Sequence, residues 1–321
     1  MMKRLLTTIC LSAVCLSAGC SFETAKSETG NASRQANSSI KQESKNYREP
    51  RRLANLQDDA ITESSGIAAS RANPGVFWTH NDSGDGAFLY AFDKTGKKLG
   101  VWKIENAKNE DWEDIAAYTD NRTGENYLLV GDIGNNNLSR SEAVIYKIIE
   151  PKISGSDAVS TRKNPRVTAG AQKIIVSYPD ARHDAETLLV NPKTGDLYIL
   201  SKNFVAASDI YKLRAPYEFD KKQILEHIGQ LSVPSLTKGL LTGGDISSDG
   251  SRMILSDYFA GYEYVLPSDA KNFDEIWKTK ADKIDLGERA QGEGVCYSLD
   301  GAAIYSTSEK NPSPLNETVR K

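Results

Sequence analysis

Acidic residues recur in this chain at the start of short apolar runs. Glu63 opens Glu63-Ser64-Ser65-Gly66-Ile67-Ala68, Glu113 sits in Trp112-Glu113-Asp114-Ile115-Ala116, and Glu186 in Asp184-Ala185-Glu186-Thr187-Leu188-Leu189. Asp245 and Glu293 repeat the setting in Gly244-Asp245-Ile246-Ser247 and Gly292-Glu293-Gly294-Val295. Carboxylates gathered in a small, partly dry space repel one another and raise each other's pKa unless a cation or a basic group offsets them. Hard oxygen donors without histidine or thiolate favour calcium or magnesium over zinc or copper. The expected cofactor is therefore Ca2+, with Glu63, Glu113, Asp132, Glu186, Asp245 and Glu293 as ligands. Two alternatives stay open: Lys202 neutralises part of the cluster without a metal, or the acids bind backbone amides and lock neighbouring units together.

Other chemistry is thinly represented. The chain has three histidines, His80, His183 and His227, which all but excludes a multi-histidine metal site. His80, beside Asn81-Asp82, and His183, beside Asp184, each fit a general base steadied by a carboxylate; the plainer reading is that each caps a turn. No Gly-x-Ser-x-Gly elbow, phosphate-cradling loop or dinucleotide fingerprint occurs. Lys+Arg at 40 against Asp+Glu at 43 leaves a net charge of −3, without the basic excess a nucleic-acid partner would require.

The elements that must position these residues are short strands rich in Val, Ile, Leu and Tyr, separated by Gly-, Asp- and Asn-containing turns. After each acidic start comes a second apolar strand: Val76 to His80, Tyr127 to Gly131, Leu197 to Ser201, Arg252 to Ser256 and Ala303 to Thr307. Third and fourth strands follow in most units, for example Phe88 to Phe92 and Lys98 to Ile104 around the turn Asp93-Lys94-Thr95-Gly96. Four-strand units repeated around an axis are β-propeller blades. The last unit has room for a third strand, Leu315 to Lys321, and no fourth. Arg51 to Leu56, ahead of the first unit, has no blade of its own. The economical solution is an all-β propeller of five four-stranded blades over residues 51–321, closed by the N-terminal strand. Six blades are the alternative if the insertion near residues 150 to 180 hides a unit. The starts of the innermost strands then converge at one mouth of the axial channel.

The two ends of the chain carry separate signals. Lys3-Arg4, the apolar run Leu5 to Leu16 and Leu16-Ser17-Ala18-Gly19-Cys20 read as a lipoprotein signal peptide over residues 1–19, with Cys20 lipidated. Ser21 after the cysteine points to the outer membrane. Residues 20–50, rich in Ser, Lys, Glu, Asn and Gln, cannot bury enough surface to offset ordering entropy and read as a flexible tether. Cys10 and Cys15 leave with the signal, so Cys296 remains without a disulfide partner and is expected to be buried packing.

The set Glu63-Ser64-Ser65-Gly66-Ile67-Ala68, His80-Asn81-Asp82-Ser83-Gly84, Asp111-Trp112-Glu113-Asp114, Gly131-Asp132-Ile133-Gly134-Asn135-Asn136 and Asp184-Ala185-Glu186 resembles uncharacterised bacterial secreted and lipoprotein β-propellers. A more distant likeness is to gluconolactonase-type and phytase-like propellers, which implies acidic side chains and a divalent cation at the axis. One departure is Asp257, where the family tends to carry a basic residue. The resemblance implies a propeller fold and export without a settled reaction. The expected protein is a monomeric, lipid-anchored envelope module that binds a protein, glycan or small molecule at a propeller mouth. The alternative is a metal-dependent hydrolase of a phosphoester, lactone or ester.

Overall fold

The computed structural model describes residues 44–321; the expected signal peptide, Cys20 and most of the expected tether lie outside the described residues. Among the described residues twenty-two strands form five sheets, antiparallel except for one added parallel edge strand in each of two of them, and each sheet starts from one innermost strand. Blade 1 comprises Ser64–Ala69, Val76–Asn81, Phe88–Asp93 and Lys98–Lys103. Blade 2 comprises Trp112–Thr119, Asn126–Asp132, Ala143–Ile149 and Gln172–Ser177. Blade 3 is built from Ala185–Val190, Leu197–Ser201, Ser208–Leu213 and Glu226–Leu231. Blade 4 is built from Gly243–Ile246, Arg252–Ser256, Gly261–Val265 and Asp282–Ile284. Gly292–Tyr297, Ala303–Ser308 and Pro314–Val319 make three strands of blade 5, and the N-terminal Arg51–Asn55 supplies the fourth by pairing with Pro314–Val319. The chain is a five-bladed β-propeller closed by its first strand.

Six-blade closure is ruled out by where the insertion goes. Its 3-10 turn, Gly155–Val159, and the short strand Arg166–Val167 fold back on the outer edge of blade 1, where Trp102 pairs with Arg166. Arg166 also holds Asp157 at 2.7 Å. Lys222–Ile224 covers the edge of blade 2 in the same way. Both segments occupy sheet edges that would otherwise offer unpaired backbone groups.

Each hydrophobic cluster lies between two adjacent blades, which accounts for the apolar inner strands. Trp78 and Trp102 of blade 1 meet edge to face at 5.0 Å and pack with Ile115 and Val130 of blade 2. Leu129 and Ile145 meet Leu188 and Ile199 across blades 2 and 3, and Tyr198 meets Met253 and Tyr262 across blades 3 and 4. Ile254 joins Val295 across blades 4 and 5. Phe77 against Tyr305, 4.6 Å between centroids, closes the ring from blade 5 to blade 1. A strand covered on both faces has no solvent side, so Ser64–Ala69, Val76–Asn81 and Leu197–Ser201 are buried at every residue. Cys296 is buried at the blade 5–blade 1 interface.

The innermost strands all start at one end of the ring, here the upper end, and finish at the lower face. Arg51–Asn55 runs the opposite way to Pro314–Val319 and therefore enters from below. Residues ahead of it already belong to the lower face: Tyr47 is buried, bridges Arg320, and donates its hydroxyl to Glu263 at 2.6 Å. Gly96 ends the Asp93-Lys94-Thr95-Gly96 turn at φ 74°, left-handed backbone that glycine adopts without strain.

Candidate functional site at the upper axial mouth

Glu113, Glu186 and Glu293 occupy equivalent places at the top of three innermost strands. Each lies two residues before the first regularly paired apolar residue, which is Ile115 opposite Val130, Leu188 opposite Ile199, and Val295 opposite Ser306. A bulge in each of these strands breaks the strict alternation at the acid, where the chain enters the mouth. All three carboxylates are buried.

Loops from four blades deliver further groups. Asp82 follows the second strand of blade 1, Asp111 and Asp184 precede the innermost strands of blades 2 and 3, and Glu309 follows the second strand of blade 5. One carboxylate oxygen each from Asp82, Asp111 and Glu113 lies within 4.8 Å of the other two, close enough to share an ion. Gly134 packs directly on two of them, so that a Cβ there would push the carboxylate ends of Glu113 and Asp111 aside. Lys202, at the end of the second strand of blade 3, donates to Glu186 Oε1 and lies 5.2 Å from the Tyr258 ring centroid. Gln291 donates its amide to Glu293 at 3.2 Å and also to Glu309, tying those two acids together.

Electrostatics follow from burial and crowding. Burial, then the charges of Glu186, Asp82 and Asp111, hold the Glu113 carboxyl well above the usual range. Burial pushes Glu186 up to about 8 even with Lys202 beside it, and Glu293 is raised by burial and by Glu186 and Glu309. Burial with Asp82 and Asp184 nearby brings Asp111 to about 6, and burial with Asp82 and Glu63 nearby brings Glu309 to about 7. Burial opposes the Lys202 ammonium, but Glu186 outweighs it and lifts its pKa above the ordinary lysine value. Arg289, at the edge by blade 5, adds a positive charge facing Asp257 and Glu293, and burial lowers its pKa to about 10.

The remaining sequence-singled residues are placed differently. Glu63 is exposed at the rim, bridged to Glu309, while Ser65 takes the position equivalent to Glu113 and donates its hydroxyl to the Glu113 carbonyl at 2.7 Å. Asp132 is held by Arg140 at 2.7 Å and accepts the Asp111 backbone N–H at 3.2 Å, so it orders the loop carrying Asp111. Asp245 stands apart from the mouth. It pairs with Ile254 in a blade 4 register that has no bulge, two residues further along than Glu186 in its own blade. There it accepts the Tyr297 backbone N–H at 2.9 Å and faces Arg71; burial brings its pKa to about 6. Arg71 donates to the Ala117 carbonyl at 3.2 Å and to Ser248, joining blades 1, 2 and 4 near the lower end.

Neither histidine opens toward the mouth. His80 has no exposed surface: Nδ1 donates to the Asn81 carbonyl at 3.0 Å, the ring meets Trp112 edge-on at 5.6 Å, and burial lowers its pKa to about 4. His183 Nε2 lies 2.7 Å from the Tyr211 hydroxyl and 3.1 Å from Asp180 Oδ1, among outer strands of blades 2 and 3. Of these groups the sequence sets Lys202 beside the acidic cluster, and the repeat of acidic strand starts gives no reason to add Asp111, Glu309 or Gln291 to it. A signal was present: Asp111-x-Glu113, Asp184-x-Glu186 and Gln291-x-Glu293 repeat one spacing, and residues two apart share a strand face.

Asp257 does not join the acidic group. It is buried, accepts the Phe259 and Ala260 backbone N–H groups at 2.8 Å, and accepts the Tyr262 hydroxyl at 2.7 Å. Its role in the structure is to shape the loop that carries Tyr258 to Lys202.

Fold and site together define a five-bladed propeller with an acidic upper mouth. No protein-family model matches the chain, and no curated protein matches it. Among solved structures it is similar to hydrazine synthase of Kuenenia stuttgartiensis at 9% identity and a TM-score of 0.41, over 80% of this chain and 71% of that one. No helix among the described residues is long and apolar enough to cross a membrane.

Proposed function

We propose that this chain is a lipid-anchored cell-envelope module that binds its ligand at the upper mouth through a hard divalent cation, with Ca2+ as the ion to test first. The observation that carries the reading is the meeting of Asp82, Asp111 and Glu113 oxygens within 4.8 Å, with Glu186 near Glu113 and Glu293 near Glu186. Lys202 is engaged with Glu186, so the Asp82–Asp111–Glu113 side of the mouth is where an added positive charge relieves most repulsion. Asp82, Asp111 and Glu113 would hold the ion, leaving part of its coordination sphere for a ligand's oxygen atoms.

The test is calcium titration of the full chain, followed by calorimetry and by Tb3+ luminescence excited through Trp112, the neighbour of Glu113. Saturable binding lost in Glu113→Gln supports the reading; no heat and no luminescence in the wild type refute it. Lipidation is tested separately: fatty-acid incorporation is expected in the wild type and absent in Cys20→Ser.

Hydrolysis at the same cation is the second reading. Asp111 at about 6 and Glu309 at about 7 favour it, because such carboxyls can exchange protons near neutral pH. Calcium-dependent turnover of a phosphoester, lactone or ester, abolished by Glu309→Gln, is its expected signature. Calcium binding without turnover on all three substrate classes leaves the binding module alone.

A further inference from the structure

Lys147 carries a charge into an aromatic enclosure and meets no anion there. It lies near the lower end of the third strand of blade 2, is 6% exposed, and makes no hydrogen bond or ion pair. Its Nζ stands 3.8 Å from the Tyr127 ring centroid and 5.7, 5.9 and 5.9 Å from those of Tyr118, Tyr217 and Phe219. The nearby acid, Asp120, is taken by Arg122, whose Nη2 and Nε reach its two oxygens at 3.0 and 3.2 Å. Burial lowers the pKa of the Lys147 amine, the direction expected for an ammonium short of counter-charge.

A cavity of about 320 Å³ opens beside this lysine between blades 2 and 3, the size of a small-molecule site. Its walls are braced. Asn121 donates across the blade boundary to the Pro192 carbonyl at 2.9 Å, and the Tyr217 hydroxyl donates to the Gly195 carbonyl at 2.7 Å. Lys147, Arg122 and Lys193 line it against a single acid, Asp120, and Gln172, Thr123 and Thr194 add neutral hydrogen-bonding groups. Charge therefore selects an anion. The rings select a body with apolar faces, and the amide and hydroxyls select one that also carries hydroxyl groups.

We propose that the lower face holds a binding site, separate from the acidic mouth, for an acidic sugar whose carboxylate pairs with Lys147. The sugar ring lies against Tyr127, Tyr217 and Phe219, and its hydroxyls meet Gln172 and the threonines. The ammonium lines the cavity with no carboxylate bonded to it, and this gives the site its preference for an anion, because a ligand carboxylate supplies the charge-assisted hydrogen bond that the protein does not. The site is built from five chain segments on two blades and does not depend on calcium or on the lipid.

The test titrates the full chain at neutral pH and low salt with glucuronate, and in parallel with glucose as the uncharged control. Glucuronate is expected to bind at least about tenfold more tightly than glucose, the increment of one charge-assisted hydrogen bond. Lys147→Met keeps the apolar stem, and is expected to melt like the wild type while losing that preference; Lys147→Arg is expected to retain it. Equal affinity for the two sugars, no glucuronate binding, or unchanged affinity in a folded Lys147→Met overturns the proposal. Should Lys147→Met not melt cooperatively, Arg122→Gln at an exposed position frees Asp120 to pair with Lys147. It must then weaken glucuronate binding about threefold or more, and unchanged binding overturns the proposal equally.

Discussion

Lys202 and Glu186 form a buried ion pair within blade 3 at the upper mouth, between the end of its second strand and the start of its first. The pair sets the electrostatics of the whole mouth, since Glu113, Glu293, Glu309 and Asp82 all lie within the field of the same ammonium. Removing one partner of a buried pair leaves the other charge uncompensated. Lys202→Met is expected to destabilise the propeller by about 3 kcal/mol at pH 8, with a smaller loss at pH 5, where Glu186 takes up a proton. Urea unfolding at the two pH values measures both. An equal loss at both would mean that the lysine acts by packing alone.

The raised carboxyls make stability fall as pH rises. Asp111, Glu309 and Glu186, at about 6, 7 and 8, bind protons in the folded chain that the unfolded chain has already released above its ordinary carboxylate range. The folded state therefore holds more protons between about pH 4.5 and 8, and the slope of unfolding free energy with pH is negative there. Asp120 and Asp249, lowered to about 2, act in the opposite sense: their contribution is present above the ordinary carboxylate range and is lost in stronger acid. A melting temperature highest in mildly acidic buffer and declining toward pH 8 is expected, with calcium flattening the decline. A flat profile without calcium would contradict the crowding of charges at the mouth.

Glu113→Gln separates cation binding from folding. The substitution removes a buried charge facing Glu186, Asp82 and Asp111, so the metal-free protein at pH 8 is expected to be as stable as the wild type or more so. The calcium-induced rise in melting temperature, however, should disappear. Differential scanning calorimetry with calcium and with a chelator reads both effects. A preserved calcium shift in this variant would place the ion elsewhere.

Asp114 locks three blades. Its carboxylate accepts the backbone N–H groups of Ile115 at 2.8 Å, Leu188 at 3.0 Å and Gly244 at 3.3 Å, all fully buried. Asp114→Ala orphans all three donors and is expected to cost about 3 kcal/mol or more. Guanidinium unfolding reads the loss directly, and a change under about 1 kcal/mol would show that the blades are held by their apolar faces alone.

Closure by the first strand predicts sensitivity to truncation. A chain beginning after Leu56 loses the strand paired with Pro314–Val319 and the buried Tyr47–Glu263 hydrogen bond. The exposed edge of blade 5 then offers unpaired backbone groups to other chains. Size-exclusion chromatography should show aggregation where the longer chain runs as a single species.

Much of the fold was legible because blade geometry leaves a local mark. Inner strands covered on both faces must be apolar throughout, and a final unit one strand short, set against a spare strand at the N-terminus, implies closure. The acidic mouth was legible in part: Glu113, Glu186, Glu293 and Lys202 stand at strand ends whose place in a blade follows from the repeat. Tertiary structure decided the rest. Asp245 matches the other acids in its neighbours along the chain, but without a bulge in blade 4 its register puts it lower, against Arg71. Asp82, Asp111 and Asp184 sit in loops, where no strand period fixes direction, and only the closed ring brings Asp82 and Asp111 beside Glu113. Lys147 is the extreme case: its aromatic surroundings come from separate segments of two blades, and nothing in the residues flanking it announces a charge left without a partner.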